Sequence, residues 1–172
     1  MKKTSKLIQD MPMEVRELFK NIEFIAFDFD GVFTDNTVIV DENGKESVKC
    51  SRLDGIGLNN LRKVGVESVI LSSEVNNLAN LRSEKLKINC KNGLSKKVVE
   101  FENMIEELGI DRARSSFLGN DTNDIDCLKI AGLPIVVPDC HLDVLHLGKY
   151  ITQKKGGNGA VREVCDIIEA LK

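Results

Sequence analysis

The run Phe24-Ile-Ala-Phe-Asp-Phe-Asp-Gly-Val-Phe-Thr-Asp35 constrains this chain more than any other segment. Four apolar residues of strand character lead directly into two carboxylates, Asp28 and Asp30, and then a glycine. Side chains alternate faces along an extended chain, so residues two apart point the same way while the bulky Phe29 turns to the other side. Asp28 and Asp30 therefore share one local site. Two like charges held together are unfavourable unless a cation, a proton or a reacting group offsets them. A strand that only packed in a core would not end in this pair, so the pair asks for a function.

The rest of the chain alternates strand-like and helix-like segments. Asn43-Gly44, between β-rich stretches, is a hairpin signal and places an insertion at about 36–50. Ile56, Leu58, Leu61 and Val64 have helical spacing over 53–64, and Gly65 ends that helix. Strands are expected over 67–73, 86–90, 116–119 and 133–137, with helices over 76–85, 95–108, 124–131 and 159–171. This pattern predicts an α/β fold, a Rossmann-like parallel sheet flanked by helices, with a small β-hairpin insertion. At 172 residues the chain suits one domain. Residues 21–172 form it, and residues 1–20 read as an N-terminal extension with a short peripheral helix over 12–20.

Composition excludes several classes. A net charge of −3 argues against a broad basic surface for nucleic acid. The basic N-terminus lacks the apolar core of a signal peptide, and no run has membrane-spanning length, so the expectation is a cytoplasmic protein without membrane contact. Cys50, Cys90, Cys127, Cys140 and Cys165 show no C-x-x-C pairing and read as reduced thiols. His141 and His146 have no Ser or Cys partner visible in the sequence, so triad chemistry has no support.

In parallel sheets, ligands collect beyond the carboxyl ends of the strands. That rule gathers Asp28 and Asp30, Ser72, the Lys96-Lys97 helix start, and Asn120-Asp121 with Asp124 at one rim. Hard carboxylate and amide oxygens suit Mg²⁺. A carboxylate nucleophile forms an aspartyl-phosphate when a cation suppresses its repulsion with the phosphoryl group.

Asp28-Phe-Asp-Gly-Val-Phe-Thr-Asp35, Ser72, Lys97 and Gly119-Asn-Asp-Thr-Asn-Asp124 resemble, in order, the four motifs of the haloacid dehalogenase superfamily of phosphohydrolases. The resemblance runs from about residue 22 to the C-terminus. It implies Asp28 as nucleophile, Asp30 as general acid and base, Ser72 as a phosphoryl hydrogen-bond donor and Lys97 as counter-charge. It also implies Mg²⁺ on the Asp28 side chain and the Asp30 carbonyl, with a further ligand from Asn120, Asp121 or Asp124. Many members carry an acid where this chain has Asn120.

Most relatives insert a cap domain over the site, and here only the hairpin stands in its place. The chain is similar to the capless branch that includes octulosonate 8-phosphate phosphatases, nonulosonate 9-phosphate phosphatases and the C-terminal domain of CMP-sialate synthetases. That likeness implies a phosphorylated sugar acid as substrate, a homotetramer joined through its hairpins, and a C-terminal segment reaching a neighbouring subunit's site. It implies substrate-binding positions at Thr34, Arg52, Gly55, Ser73, Glu74, Gly157 and Arg162. Alternatively, Gly156 to Gly159 form only a loop and helix cap with Arg162 solvated. Ser73-Glu74 tilts the expected substrate from an eight-carbon 8-phosphate toward a nine-carbon 9-phosphate. A non-catalytic oligomerisation module is the reading from another class.

Overall fold

A computed structural model describes residues 2–172, with side chains from Thr4 onward. Helices α1 (Lys2–Asp10) and α2 (Met13–Asn21) precede strand β1 (Phe24–Phe27). The insertion carries the short antiparallel pair β2 (Ile39–Val40) and β3 (Glu46–Ser47). Then follow α3 (Leu53–Lys63), β4 (Glu67–Leu71), α4 (Leu78–Leu86), β5 (Asn89–Lys91), α5 (Lys97–Glu107) and β6 (Ser115–Gly119). The chain finishes with α6 (Ile125–Ile130), β7 (Leu133–Val136), α7 (Leu142–Leu145), β8 (Tyr150–Ile151) and α8 (Ala160–Leu171).

The main sheet is six-stranded, ordered β5-β4-β1-β6-β7-β8, and every pairing in it is parallel. All four residues of β1 are buried because the strand is covered on both faces, which is why it reads as an unbroken apolar run. Ile25 and Phe27 face a core shared with Phe19, Leu58, Leu61 and Val164. Phe24 and Ala26 face the opposite core with Phe101, Phe117 and Leu128. The strand order reverses between β4 and β6 on either side of β1, and the crevice at their carboxyl ends is where such sheets hold ligands.

The N-terminal residues differ from expectation. Met1, the first residue of the expected extension, lies outside the described residues. The helix expected over 12–20 is present as α2, but it is not peripheral: Phe19 is wholly buried and meets Tyr150 edge-on at 5.1 Å. α1 has only Leu7 and Ile8 as apolar residues and β8 is only Tyr150–Ile151, too short a signal to be read from sequence. β5 begins at Asn89 rather than 86, because α4 runs on through Leu86 and Lys87 turns the chain in the left-handed region at φ 55°. Among the described residues, no helix is long and apolar enough to cross a membrane.

Asp54, in the first turn of α3, is enclosed, and neither carboxylate oxygen finds a well-formed hydrogen bond. Burial pushes its carboxyl from the ordinary 3.8 to about 6, weakly opposed by the Arg162 backbone N–H and the charges of Arg82 and Arg162. With the folded-state value raised, this group's share of stability is intact below about 3.8 and is lost as pH rises to about 6. Asp54→Asn is therefore expected to stabilise the fold by up to about 3 kcal/mol at neutral pH and not at all in acid. Denaturant unfolding at the two pH values tests this; an equal gain at both would assign the cost to packing rather than charge.

Candidate active site

β1 continues its hydrogen bonding one residue past its end, with the Asp28 N–H donating to the Leu118 carbonyl at 2.9 Å. The chain then turns, closed by the Phe33 N–H on the Phe29 carbonyl at 2.9 Å. Phe29 and Phe33 stack with centroids 6.0 Å apart on the core side, and Asp28 and Asp30 line the cleft above. Thr34 Oγ1 accepts from the Gly31 N–H at 3.1 Å and the Asn36 N–H at 3.3 Å. Thr34 was a candidate substrate contact. It is wholly buried, and its hydroxyl instead fixes the turn that presents Asp30.

Lys97, the first residue of α5, is 2% exposed, whereas its neighbour Lys96 is in solvent. Lys97 Nζ lies 2.6 Å from Asp28 Oδ1 and 2.8 Å from Asp124 Oδ1. Burial alone would lower the ammonium's pKa, but the two carboxylates and their hydrogen bonds hold it above its ordinary value. For Asp28, burial and the Asp124 charge push the carboxyl up, while Lys97 and the Phe29 N–H favour the ionised form. For Asp30, burial first and the Glu74 carboxylate second raise the carboxyl above the ordinary range. The two acids are thus placed differently: Asp28 against a fixed cation, Asp30 against an anion.

The loop after β6 separates its three candidate metal ligands. Asp124 is fully buried, with Oδ1 on Lys97 and Oδ2 accepting from the N–H groups of Asn120 at 2.8 Å and Asp121 at 3.2 Å. Both oxygens are engaged, so Asp124 does not fit the ligand role expected of it; it anchors the loop and Lys97. Asp121 lines the cleft and caps the 3-10 turn Thr122–Asp124. The terminal amide of Asn120 stands 2.8 Å from the Asp30 carbonyl oxygen and 2.9 Å from Asp28 Oδ2. With its nitrogen inward, the amide donates to both. With its oxygen inward, it adds a third hard oxygen at the spacing of adjacent corners in an octahedron with bonds of about 2.1 Å, the geometry Mg²⁺ requires. Among the described residues, no three His, Cys, Asp or Glu side chains cluster for a metal; this set combines one carboxylate, one carbonyl and one amide. Gly31, at φ +81°, is needed beneath it, since a Cβ there would collide with the Asn120 side chain.

The resulting cleft, about 290 Å³, brings together Asp28, Asp30, Ser72, Ser73, Glu74, Asn120 and Asp121. Ser72 is buried, and its Oγ accepts from the Glu74 N–H at 3.2 Å. Asn36, Thr122 and Asn123 also line the cleft and were not singled out from sequence. Asn36 holds φ 60°, and an Asn directly after Thr-Asp was the available signal, because Asn tolerates the left-handed region. Asn123 Nδ2 donates to Ser73 Oγ at 3.3 Å, tying two rim loops together.

Besides Thr34, four expected substrate contacts are not brought to this cleft. Arg52 and Gly55 sit at the start of α3 outside it. Arg162 lies where α8 packs on α3 and pairs with Asp166 at 2.6 Å. The Gly157 N–H donates to the Val32 carbonyl at 3.0 Å, and a Cβ on Gly156 would run into the Gly31 carbonyl oxygen. Within this chain the glycines brace the underside of the Asp30-Gly31 turn, and Gly159 caps α8. A larger cavity of about 580 Å³ lies between α1 and α8 and shares none of the cleft residues. Its lining includes the acids Asp10, Glu163 and Asp166, but its amines, Lys6 and Lys154, are exposed rather than buried against them.

A protein-family model described as haloacid dehalogenase-like hydrolase matches residues 62–164. The 3-deoxy-D-manno-octulosonate 8-phosphate phosphatase of Escherichia coli K12 is 31% identical over 150 residues, covering 87% of this chain and 80% of that protein. The N-acylneuraminate cytidylyltransferase of Oncorhynchus mykiss is 30% identical over 167 residues, covering 95% of this chain but 37% of that longer protein. The crystal structure of the octulosonate phosphatase from Moraxella catarrhalis, in complex with magnesium, phosphate and KDO, superposes with a TM-score of 0.88 at 31% identity, covering 92% of each chain. The ordered acids, serine and lysine, the parallel sheet that seats them and these likenesses converge, and the chain belongs to the haloacid dehalogenase-like hydrolases.

Proposed function

We propose that this hydrolase is a cytoplasmic, Mg²⁺-dependent phosphomonoesterase acting on a phosphorylated 2-keto-3-deoxy sugar acid through an aspartyl-phosphate on Asp28. The observation that carries this reading is the Lys97 ammonium fixed between Asp28 and Asp124, which holds a carboxylate nucleophile beside a cation at the cleft floor. A carboxylate oxygen of Asp28 attacks phosphorus, the bond to the leaving oxygen breaks, and Asp30 gives that oxygen its proton. Water then attacks the aspartyl-phosphate, Asp30 takes up the water's proton, and phosphate departs with Asp28 restored. Ser72 and Lys97 orient and offset the phosphoryl oxygens. Mg²⁺, held by the Asp28 carboxylate, the Asp30 carbonyl and Asn120, would neutralise charge shared by nucleophile and phosphoryl group.

Asp30→Asn tests the division of labour. Its turnover of an alkyl phosphate is expected to fall by roughly 10² to 10⁴. The loss should be much smaller for p-nitrophenyl phosphate, whose leaving group needs no proton. Equal losses on both esters, read by phosphate release, would remove Asp30 from the acid role.

Ser73-Glu74, which resembles the second motif of the sialate-linked branch, supports a nine-carbon substrate, KDN 9-phosphate or N-acetylneuraminate 9-phosphate, and Glu74 lies on the cleft wall where its carboxylate is suited to accept hydrogen bonds from sugar hydroxyls. The likeness to octulosonate phosphatases supports a second reading, 3-deoxy-D-manno-octulosonate 8-phosphate. A phosphate-release screen of the three esters, with Mg²⁺ and with chelator, separates them; equal, weak activity on all would defeat the argument from Glu74. Val38, Ile39 and Val40 leave apolar side chains of the hairpin exposed, which supports a homotetramer joined there. A tetramer by light scattering without turnover of any ester would favour the oligomerisation module instead.

A further inference from the structure

The cleft does not end at Asp30. A second compartment of about 200 Å³ opens from it beneath the hairpin and shares Asp30, Asn36 and Glu74 with the catalytic cleft. Its outer wall is built by Glu46 of β3 and by Asn76, with Val48 and Leu78 as apolar floor. None of its lining residues is Lys or Arg.

Asn76 is held on three sides. Its Oδ1 accepts from the Leu78 N–H at 3.1 Å, its carbonyl accepts from Asn92 Nδ2 at 3.1 Å, and its own Nδ2 donates to Glu46 Oε2 at 3.0 Å. The hairpin is thereby clamped onto the loop before α4, with one oxygen of Glu46 fixed. Glu46 Oε1 has no hydrogen bond among the described residues.

Resting on the phosphatase reading, we infer that this compartment receives the part of the leaving group next to the phosphoester, and that Glu46 is a specificity-determining residue that accepts its hydroxyl protons. The chemistry selects in two directions. A hydroxylated, uncharged segment finds acceptors in Glu46 and Glu74 and mixed character in Asn36 and Asn76. A substituent with negative charge reaching into this compartment would meet Asp30, Glu46 and Glu74 with no Lys or Arg among the lining residues, and like charges at short range disfavour it. The acid group of a sugar acid substrate therefore lies several carbons from the phosphate, outside this compartment.

Three esters of the same chain length test this with the Mg²⁺-loaded protein: glycerol 3-phosphate, n-propyl phosphate and 3-phosphoglycerate. The parent protein is expected to show the highest kcat/KM on glycerol 3-phosphate. Glu46→Ala should lower the glycerol 3-phosphate to propyl phosphate ratio by about tenfold, the scale of one hydrogen bond to a charged acceptor. Glu46→Gln should raise 3-phosphoglycerate relative to glycerol 3-phosphate, and Asn76→Ala should move the first ratio in the same direction as Glu46→Ala. Glu46 is exposed on the hairpin, and an unchanged melting temperature would confirm that the variants fold. Both ratios unchanged in the Glu46 variants, or an equal fall on all three esters, would overturn the inference and leave the phosphatase reading standing. No turnover of these esters or of any sugar acid phosphate by the parent protein would overturn both.

Discussion

Replacing Asp28 by Asn is expected to reduce phosphate release by on the order of 10⁴-fold or more, the scale set by removing a covalent nucleophile elsewhere. The substitution keeps the shape of the side chain, so the cleft persists while the attacking oxygen loses its charge. Lys97 retains Asp124 at 2.8 Å, and the repulsion between two buried carboxylates disappears. The unfolding midpoint is accordingly expected not to fall, a pattern in which a reactive site carries strain that the fold would lose gladly. Turnover within about tenfold of the parent would take Asp28 out of the chemistry. Lost turnover with a large drop in stability would recast it as a structural acid.

Lys97→Met is expected to damage both activity and fold. The side chains are of similar length, but the variant leaves Asp28 and Asp124 enclosed without their shared cation, and breaking a buried pair from one side costs about 3–5 kcal/mol. Without Lys97, burial and the neighbouring carboxylate hold the Asp28 carboxyl still further above its ordinary range. Its ionisation then opposes folding, so the deficit is small in acid and grows as pH rises through the carboxylate range. Urea unfolding at acid and neutral pH reads this slope. The double variant Lys97→Met, Asp124→Asn should recover part of the stability and none of the turnover. A Lys97→Met protein as stable as the parent at neutral pH would refute the buried ion triad.

Much of this site was legible because its determinants are local. Phe24 to Phe27 had to be a doubly covered strand, and Asp28 and Asp30 had to sit where it ends. Lys97 was separable from Lys96 only through the family resemblance, and burial now gives the physical reason. What stayed hidden depends on contacts between distant segments. Phe19 looked like one apolar residue on a short helix, and its surroundings come from segments far along the chain, Tyr150 of β8 and helix α8 among them. The glycines at 156 and 157 suited a tail that approaches a ligand closely. A glycine records that something comes near and not what, and within this chain what comes near is the backbone of the Gly31 turn. Arg162 looked available for a substrate anion until Asp166, one turn along α8, claimed it. Asn120, Asp121 and Asp124 were equivalent in sequence; hydrogen bonds to two backbone amides and Lys97 commit Asp124 to structure and leave the Asn120 amide facing Asp28.

The bracing of the Gly31 turn by Gly156 and Gly157 bears on how the protein is made. Synthesis delivers Asp28 and Asp30 early, but the surface that supports their turn arrives only with residues 156–157, and α3 finds its packing partner only with α8. A chain still emerging from the ribosome therefore carries these two acids on a turn that lacks its backbone support. A chain ended before Gly156 is accordingly expected, on the proposed function, to release no phosphate, so that incomplete copies do not act as loosely selective hydrolases.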